Sequence, residues 1–155
     1  MNELRGELDG TGKHFAIVVS RFHELITERL LDAARGCLLE HGVAPDQVMI
    51  ARVPGAWELP VAAQRLAQRR TFAGIIALGC VVRGETPHFE YVAGEAARGL
   101  AEVALGQGVP VAFGLLTTDS MDQAIARAGG SVGNKGWEAA LSALEMAGLF
   151  ERLES

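Results

Sequence analysis

Segment 83–88 holds the residues of this chain that are best suited to chemistry. It reads Arg-Gly-Glu-Thr-Pro-His and places three ionisable side chains and a hydroxyl in one turn. The imidazole of His88 is the kind of group that exchanges protons near neutral pH and acts as a general acid or base. Gly84, Glu85 and Thr86 precede a predicted helix start, where backbone N–H groups can bind an anion. A histidine at a helix start can equally be a capping or surface residue, so this interpretation depends on its surroundings.

An apolar run and a helical pattern flank this segment. Residues 73–82 are almost entirely apolar, which is typical of a strand buried on both faces of a parallel sheet. After the segment, hydrophobic residues recur at helical spacing until two glycines end the pattern: Tyr91, Ala96, Leu100, Val103, Gly106 and Gly108. Ligands of open α/β sheets bind beyond the carboxyl ends of the strands, so we place the chemistry in segment 83–88.

Three further apolar runs, at residues 15–20, 47–53 and 109–116, are also predicted to be strands. A helical pattern follows each of them, and a last helix is predicted over residues 135–150. Strands that alternate with helices predict a flavodoxin-like, three-layer α/β/α sandwich with a four-stranded parallel sheet and helices on both faces. Residues 14–155 then form a single domain. Residues 1–13 are a polar arm that is either flexible or pairs with a neighbouring subunit. The inner helix faces are predicted to include Ile26, Leu30, Ala33, Ala34, Cys37 and Leu38, then Leu59, Val61, Ala62, Leu66 and Ala67, and finally Trp137, Ala140, Leu141, Leu144 and Gly148.

The loops after the four strands meet at one edge of such a sheet. Phe22 and Trp57 could stack a flat heterocycle there, with Glu58 accepting hydrogen bonds from its hydroxyl or N–H groups. Phe22 could instead be a hydrophobic staple, and Trp57 could be a core contact. Arg127 lies further along the chain, at the end of a short predicted helix, where it could simply complement the helix dipole. Lys135, in the following loop, could be a solvated surface charge.

Composition excludes several classes of protein. The chain has 155 residues, a net charge of -5 and no block of Lys and Arg, which disfavours nucleic-acid binding. Cys37 and Cys80 lack the spacing of a metal site, and we expect buried thiols and no metal. We find neither a dinucleotide-binding fingerprint nor a P-loop. Without a signal pattern or a membrane-length apolar run, we expect a cytoplasmic protein that does not bind membranes.

Together these residues resemble the 6,7-dimethyl-8-ribityllumazine synthase family, which catalyses the penultimate step of riboflavin biosynthesis. The resemblance runs from about residue 15 to residue 149. Any one matching block is weak, but five in this order are specific. They are Ser-Arg-Phe at 20–22, Val-Pro-Gly-Ala-Trp-Glu-Leu-Pro at 53–60, Leu-Gly-Cys-Val-Val-Arg-Gly-Glu-Thr-Pro-His-Phe at 78–89, Gly-Leu-Leu-Thr-Thr at 114–118, and Ala-Arg-Ala-Gly at 126–129 followed by Gly-Asn-Lys-Gly at 133–136.

The resemblance implies a condensation of 5-amino-6-(D-ribitylamino)uracil with 3,4-dihydroxy-2-butanone 4-phosphate, with no cofactor. By this resemblance, His88 transfers protons and Arg127 neutralises the charge of the phosphate. By the same resemblance, Phe22 packs against the pyrimidine ring, and the ring and the ribityl chain are held by Ala56, Trp57 and Glu58. The floor of the site is formed by the backbone of Cys80, Val81 and Val82, and the phosphate accepts hydrogen bonds from the backbone N–H groups of Glu85 and Thr86. Phe113 and Lys135 come, like Arg127, from a neighbouring subunit.

Three positions depart from the commonest family pattern. His23 stands where Asn is frequent, Trp57 where Phe or Tyr is frequent, and Glu85 puts a carboxylate beside the implied phosphate site, so we expect its side chain to point away. The resemblance also implies a homo-oligomer, either a pentamer or a 60-mer of twelve pentamers, with riboflavin synthase as a further suggested partner. The short 129–136 connection resembles capsid-forming members. A flavin or lumazine binder without turnover and a mainly structural shell protein are the alternatives.

Overall fold

Four parallel strands form the sheet around which the chain folds. A computed structural model describes residues 1–155. The strands are β1 (Phe15–Ser20), β2 (Val48–Val53), β3 (Gly74–Val82) and β4 (Val111–Thr118). Their spatial order is β2-β1-β3-β4, and every neighbouring pair is parallel. Strands β1 and β3 are therefore central, whereas β2 and β4 are edges.

Helices cover both faces of this sheet. They are α1 (Glu24–Glu40), α2 (Leu59–Gln68), α3 (His88–Gln107), α4 (Met121–Ala126) and α5 (Lys135–Glu154). Alternate residues of β1 point to opposite faces, as the period of a strand requires. Phe15, Ile17 and Val19 pack in a core with α1 and α5, while Ala16 and Val18 pack in a second core with α2 and α3. The predicted three-layer, flavodoxin-like sandwich is confirmed.

Some local predictions were wrong. Strand β4 starts two residues later than predicted and continues through Thr117 and Thr118, because these residues pair with Val81 and Val82 of β3. Helix α3 ends at Gln107, so Gly106 is helical and only Gly108, at φ +67°, provides the left-handed cap. A small antiparallel hairpin, β5 (Ala128–Gly130) and β6 (Gly133–Asn134), was not predicted.

One side chain predicted to face the core, Val61, is exposed instead. The buried face of α2 contains Leu59, Ala63, Leu66 and Ala67. Val61 lies two positions after Leu59, roughly 200° around the helix, and therefore faces outward. Tyr91 belongs to the first turn of α3, whose buried residues begin only at Ala96.

The N-terminal arm lies along α5 of its own chain. Two of its glycines, Gly6 and Gly10, are buried. A side chain at Gly6 would clash with the backbone carbonyl of Glu145 in α5. The N–H of Gly10 donates to the carbonyl of His41 at 2.8 Å. Pairing of this arm with a neighbouring subunit stays a prediction. None of the helices combines the length and the apolar character that a membrane span needs.

Candidate functional site

A cleft of about 610 Å³ opens where the first three strands end. Its size lies within the range of roughly 300–1,000 Å³ that is usual for small-molecule sites. It lies beyond the carboxyl ends of the strands, where ligands of open α/β sheets bind. The residues that line it are Phe22, His23, Pro54, Gly55, Ala56, Trp57, Glu58, Cys80, Val81, Val82, Gly84, Thr86, His88, Phe89, Tyr91 and Val92.

One wall of this cleft is Phe22, which follows β1. Backbone hydrogen bonds from Arg21 to Val53 (2.9 Å) and from Phe22 to Pro54 (3.1 Å) continue the pairing of β1 with β2 past the last strand residue. These bonds fix the backbone of Phe22, yet 67% of the residue remains exposed. Such exposure argues against a hydrophobic staple and leaves the ring free to stack a ligand.

A second wall is a single 3₁₀ turn, Ala56–Glu58. The N–H of Gly55 donates to Glu58 Oε1 at 2.9 Å, so the carboxylate of Glu58 closes the turn that carries it. Ala56 is buried, whereas Trp57 is 58% exposed, which argues against a core contact. This wall therefore presents an indole and a carboxylate whose second oxygen has no partner in the chain.

The floor is the end of β3, from Cys80 to Val82. The thiol of Cys80 is buried, and burial raises its pKa to about 11. It is therefore neutral at physiological pH and serves as an apolar surface. Backbone pairing of Val81 with Thr117 and of Val82 with Thr118 holds the floor rigidly against β4.

Segment 84–87 and the start of α3 form the third side. His88 is the first residue of α3 and lines the cleft together with Thr86. The side chain of Glu85 is exposed and is not part of the lining. The backbone N–H groups of Gly84, Glu85 and Thr86 donate to no other group of the chain, so they are free to bind an anion.

Sequence reasoning missed several lining residues, among them Phe89, Tyr91 and Val92 in the first turns of α3. Residues three and four positions apart on a helix are neighbours on one face. Tyr91 and Val92 stand at these spacings from His88, and this signal could have identified them. His23, which was noted only as a departure from the family pattern, also lines the cleft. It has φ +61° and lies with its ring 4.6 Å from that of Phe22.

The remaining predicted residues lie elsewhere, in a second cleft of about 440 Å³ beside the edge strand β4. Phe113 comes from β4 itself, Arg127 ends α4, and Lys135 begins α5. The structure therefore divides the predicted site into two groups. The residues that line this second cleft are Phe113, Leu115, Leu116, Thr117, Thr118, Gln123, Arg127, Val132, Lys135 and Glu138.

The hairpin β5–β6 connects the two cations of this second cleft. The N–H of Lys135 donates to the carbonyl of Arg127 at 2.9 Å. The side chain of Asn134 caps α5 by accepting from the N–H groups of Gly136 (2.8 Å) and Trp137 (3.2 Å). These bonds hold Arg127 and Lys135 next to each other in the chain fold.

Neither cation of the second cleft forms an ion pair within the chain. The guanidinium of Arg127 donates only to the carbonyl oxygen of Gln123, at 3.0 Å. By contrast, hydrogen bonds with Asp119 and Glu90 raise the pKa of Arg83, and that charge is already matched. Arg127 and Lys135 are the Lys and Arg side chains that line either cleft, and both belong to the second. No group of three or more His, Cys, Asp or Glu side chains is arranged to hold a metal ion.

Comparison with known proteins gives one family match. The model of a family described as 6,7-dimethyl-8-ribityllumazine synthase matches residues 12–151. This range contains all four sheet strands and every residue that lines either cleft.

Proposed function

Because the chain belongs to the 6,7-dimethyl-8-ribityllumazine synthase family, we propose that it condenses 5-amino-6-(D-ribitylamino)uracil with 3,4-dihydroxy-2-butanone 4-phosphate. Membership of the family supports lumazine synthesis in riboflavin biosynthesis. The amine of the uracil attacks the ketone and one water leaves as the imine forms. Inorganic phosphate is then eliminated, and attack by the ribityl-bearing nitrogen on the remaining carbonyl closes the ring and releases a second water.

The first cleft is suited to the uracil. Phe22 and Trp57 offer two exposed aromatic surfaces, and the free oxygen of Glu58 can accept hydrogen bonds from the ribityl hydroxyls or the ring N–H groups. Cys80, Val81 and Val82 line the floor of this cleft, and the proposal places the ring above them. His88 lies at the side of the same cleft, where it can move protons to and from the reacting nitrogen and carbonyl.

The phosphate requires positive charge that the first cleft lacks. Unpaired N–H groups at Glu85 and Thr86 provide donors, but the two cations that line a cleft, Arg127 and Lys135, lie with Phe113 beside the edge strand β4. We propose that the second cleft of one subunit completes the first cleft of its neighbour in a ring of subunits. A heterologous contact of this kind closes into a ring when its rotation permits, as a pentamer requires.

The proposal rests on the division of the predicted site residues between two separate clefts. One cleft has the aromatic walls and the imidazole, and the other, at the sheet edge, has two cations without carboxylate partners. The same arrangement predicts that the isolated subunit is inactive. Light scattering on the purified protein distinguishes a single subunit from a pentamer and from a 60-mer, and a monomeric protein with full activity would contradict the composite site.

The reaction itself is tested by mixing the two substrates with the purified protein and following lumazine fluorescence and free phosphate together. Equal amounts of both products support the synthase. A protein that binds lumazine tightly but releases no phosphate from the mixture would instead be a binder on the same scaffold.

A complementation experiment tests the composite site directly. His88→Ala and Arg127→Ala chains are each expected to be impaired, because every site in either oligomer lacks one group. After unfolding and refolding together in equal amounts, roughly a quarter of the sites in a ring should combine wild-type His88 with wild-type Arg127. Activity above that of both parents supports shared sites, whereas no recovery in mixed oligomers would place both groups in one chain.

A further inference from the structure

Arg83 connects three parts of the site edge. It directly follows β3, and its backbone N–H donates to the carbonyl of Thr118 at 2.8 Å. Its Nε lies 2.8 Å from Asp119 Oδ1, and a terminal nitrogen lies 3.1 Å from Glu90 Oε1. The guanidinium carbon also lies 4.4 Å from the centre of the Phe89 ring. One side chain therefore joins the loop after β4 to the two residues that follow His88.

The start of α3 has one backbone hydrogen bond of its own, from the N–H of Glu90 to the carbonyl of Pro87 at 3.0 Å. The residue before it, Pro87, provides no side-chain cap, and segment 84–87 is exposed. First-turn N–H groups of helices are usually satisfied by a capping side chain, and this helix lacks one. His88 stands in this turn, and the contacts of Arg83 with Glu90 and Phe89 join the turn to the end of β3 through side chains.

The charge of Arg83 is not available to a substrate anion. Two carboxylates, Asp119 and Glu90, already accept hydrogen bonds from its guanidinium. An added phosphate would have to compete with both. This arrangement separates Arg83 from Arg127, whose guanidinium has no carboxylate partner. Arg83 therefore acts through the position of its neighbours and not through contact with the substrate.

We propose that Arg83 is a positioning residue that holds the His88 imidazole in the orientation required for proton transfer. The inference rests on the proposed function for the role of His88. Proton transfer requires heavy atoms within about 2.6–3.2 Å, so a looser first turn of α3 lowers the rate of the chemical step. The uracil is held by other walls of the cleft, so its binding should not change.

The test compares Arg83→Gln with Arg35→Gln. Arg35 forms an ion pair with Asp32 on α1, and the side chains of Arg83 and Arg35 are 45% and 44% exposed. We expect Arg83→Gln to lower kcat by about 10- to 100-fold, with an unchanged KM for the uracil. Arg35→Gln should behave as wild type. Arg83→Lys should recover only part of the loss, because an ammonium lacks the planar fork that reaches two carboxylates.

A double-mutant cycle shows whether Arg83 acts through His88. If it does, Arg83→Gln has no further effect on kcat in a His88→Ala protein. Losses that multiply in the double variant, or an unchanged kcat in Arg83→Gln alone, would overturn the proposal. Asp119→Ala removes only the hydrogen bond between Arg83 and the loop after β4, and it should also lower kcat.

Amide hydrogen exchange of the unliganded protein keeps this inference separate from the proposed function. Arg83→Gln, but not Arg35→Gln, should speed exchange of the Glu90 N–H, which donates to the carbonyl of Pro87 at 3.0 Å, and of the next turn of α3, residues 92–95, because local opening sets that rate. A wild-type protein that makes no lumazine would refute the proposed function. In that event the exchange data alone decide the structural part, and unchanged exchange in Arg83→Gln refutes it.

Discussion

The backbone N–H of Gly55 donates to Oε1 of Glu58 at 2.9 Å, so the acidic residue of the first cleft also fixes the turn on which it stands. One oxygen is occupied within the chain, and the other remains available to a ligand. Binding and local folding are therefore coupled at Glu58, and two substitutions can separate them.

Glu58→Gln keeps an oxygen for the Gly55 N–H but removes the charge. We expect wild-type stability and a KM for the uracil that rises roughly 10- to 100-fold, since hydrogen bonds to charged groups contribute about 1.5–3 kcal/mol. Glu58→Ala should lose the same binding and also about 1 kcal/mol of unfolding free energy, as lost caps do. Urea denaturation and steady-state kinetics measure both effects. Equal urea midpoints for the two variants would show that the bond with Gly55 contributes no stability.

His88→Ala should slow the reaction without abolishing it. A positioned acid or base contributes about 10²–10⁴-fold, whereas holding two substrates together can contribute effective molarities of roughly 10⁵ M and above. We therefore expect kcat to fall by about 10²–10⁴-fold. Steady-state kinetics measure the loss, and light scattering confirms that the oligomer is intact. Complete loss of activity in an intact oligomer would contradict a mechanism dominated by positioning.

The sheet and the first cleft could be predicted because their signals are local. The runs that became β1 and β3 are apolar and end at polar turns, and parallel strands bring those turns to one edge. That geometry alone predicts that Phe22, Glu58 and His88 lie at the same edge of the sheet. The family resemblance then provided their roles, which remain proposals.

The second cleft could not be predicted from such signals. Its position depends on β4 being an edge strand, and spatial strand order is set by crossover connections and not by any local pattern. The hairpin that holds Arg127 and Lys135 has only five strand residues, among them three glycines, and shows no alternation of apolar and polar residues. Tyr91 was used only as a sign of helical spacing, but the first turn of α3 borders the cleft and Tyr91 lines it.

Arg127→Gln should weaken binding of the phosphorylated substrate more than it affects the chemical step. The guanidinium has no carboxylate partner to release, so its interaction with phosphate should be a charge-assisted hydrogen bond of about 1.5–3 kcal/mol. We expect the KM for the butanone phosphate and the inhibition constant of inorganic phosphate to rise roughly 10- to 100-fold together. Arg35→Gln provides the matched control. An unchanged phosphate inhibition constant would exclude Arg127 from the anion site.

The stability of the protein should decrease between pH 9 and 11 through its two cysteines. Burial raises the pKa of Cys37 and of Cys80 to about 11, from 9.0 in the unfolded chain. Above pH 9 the unfolded thiols ionise while the folded ones do not, so this contribution is complete below pH 9 and is lost as the pH approaches 11. Urea denaturation at several pH values measures the decrease. The stability of the Cys37→Ala/Cys80→Ala double variant should decrease less over this pH range. A decrease identical to that of the wild type would contradict the assignment of the effect to the cysteines.

Gly136 and Gly36 should respond oppositely to alanine. Gly136 begins α5 against α1, and a Cβ there would clash with the backbone of Leu30. We expect Gly136→Ala to lower the free energy of unfolding by about 1–3 kcal/mol, because the two helices must separate. A Cβ at Gly36, within α1, would meet nothing within 4 Å. Gly36→Ala should therefore stabilise the protein by about 0.5–1 kcal/mol through its higher helix propensity. Urea midpoints of both variants provide the test, and a Gly136→Ala protein as stable as wild type would show that α5 can move away from α1 without cost.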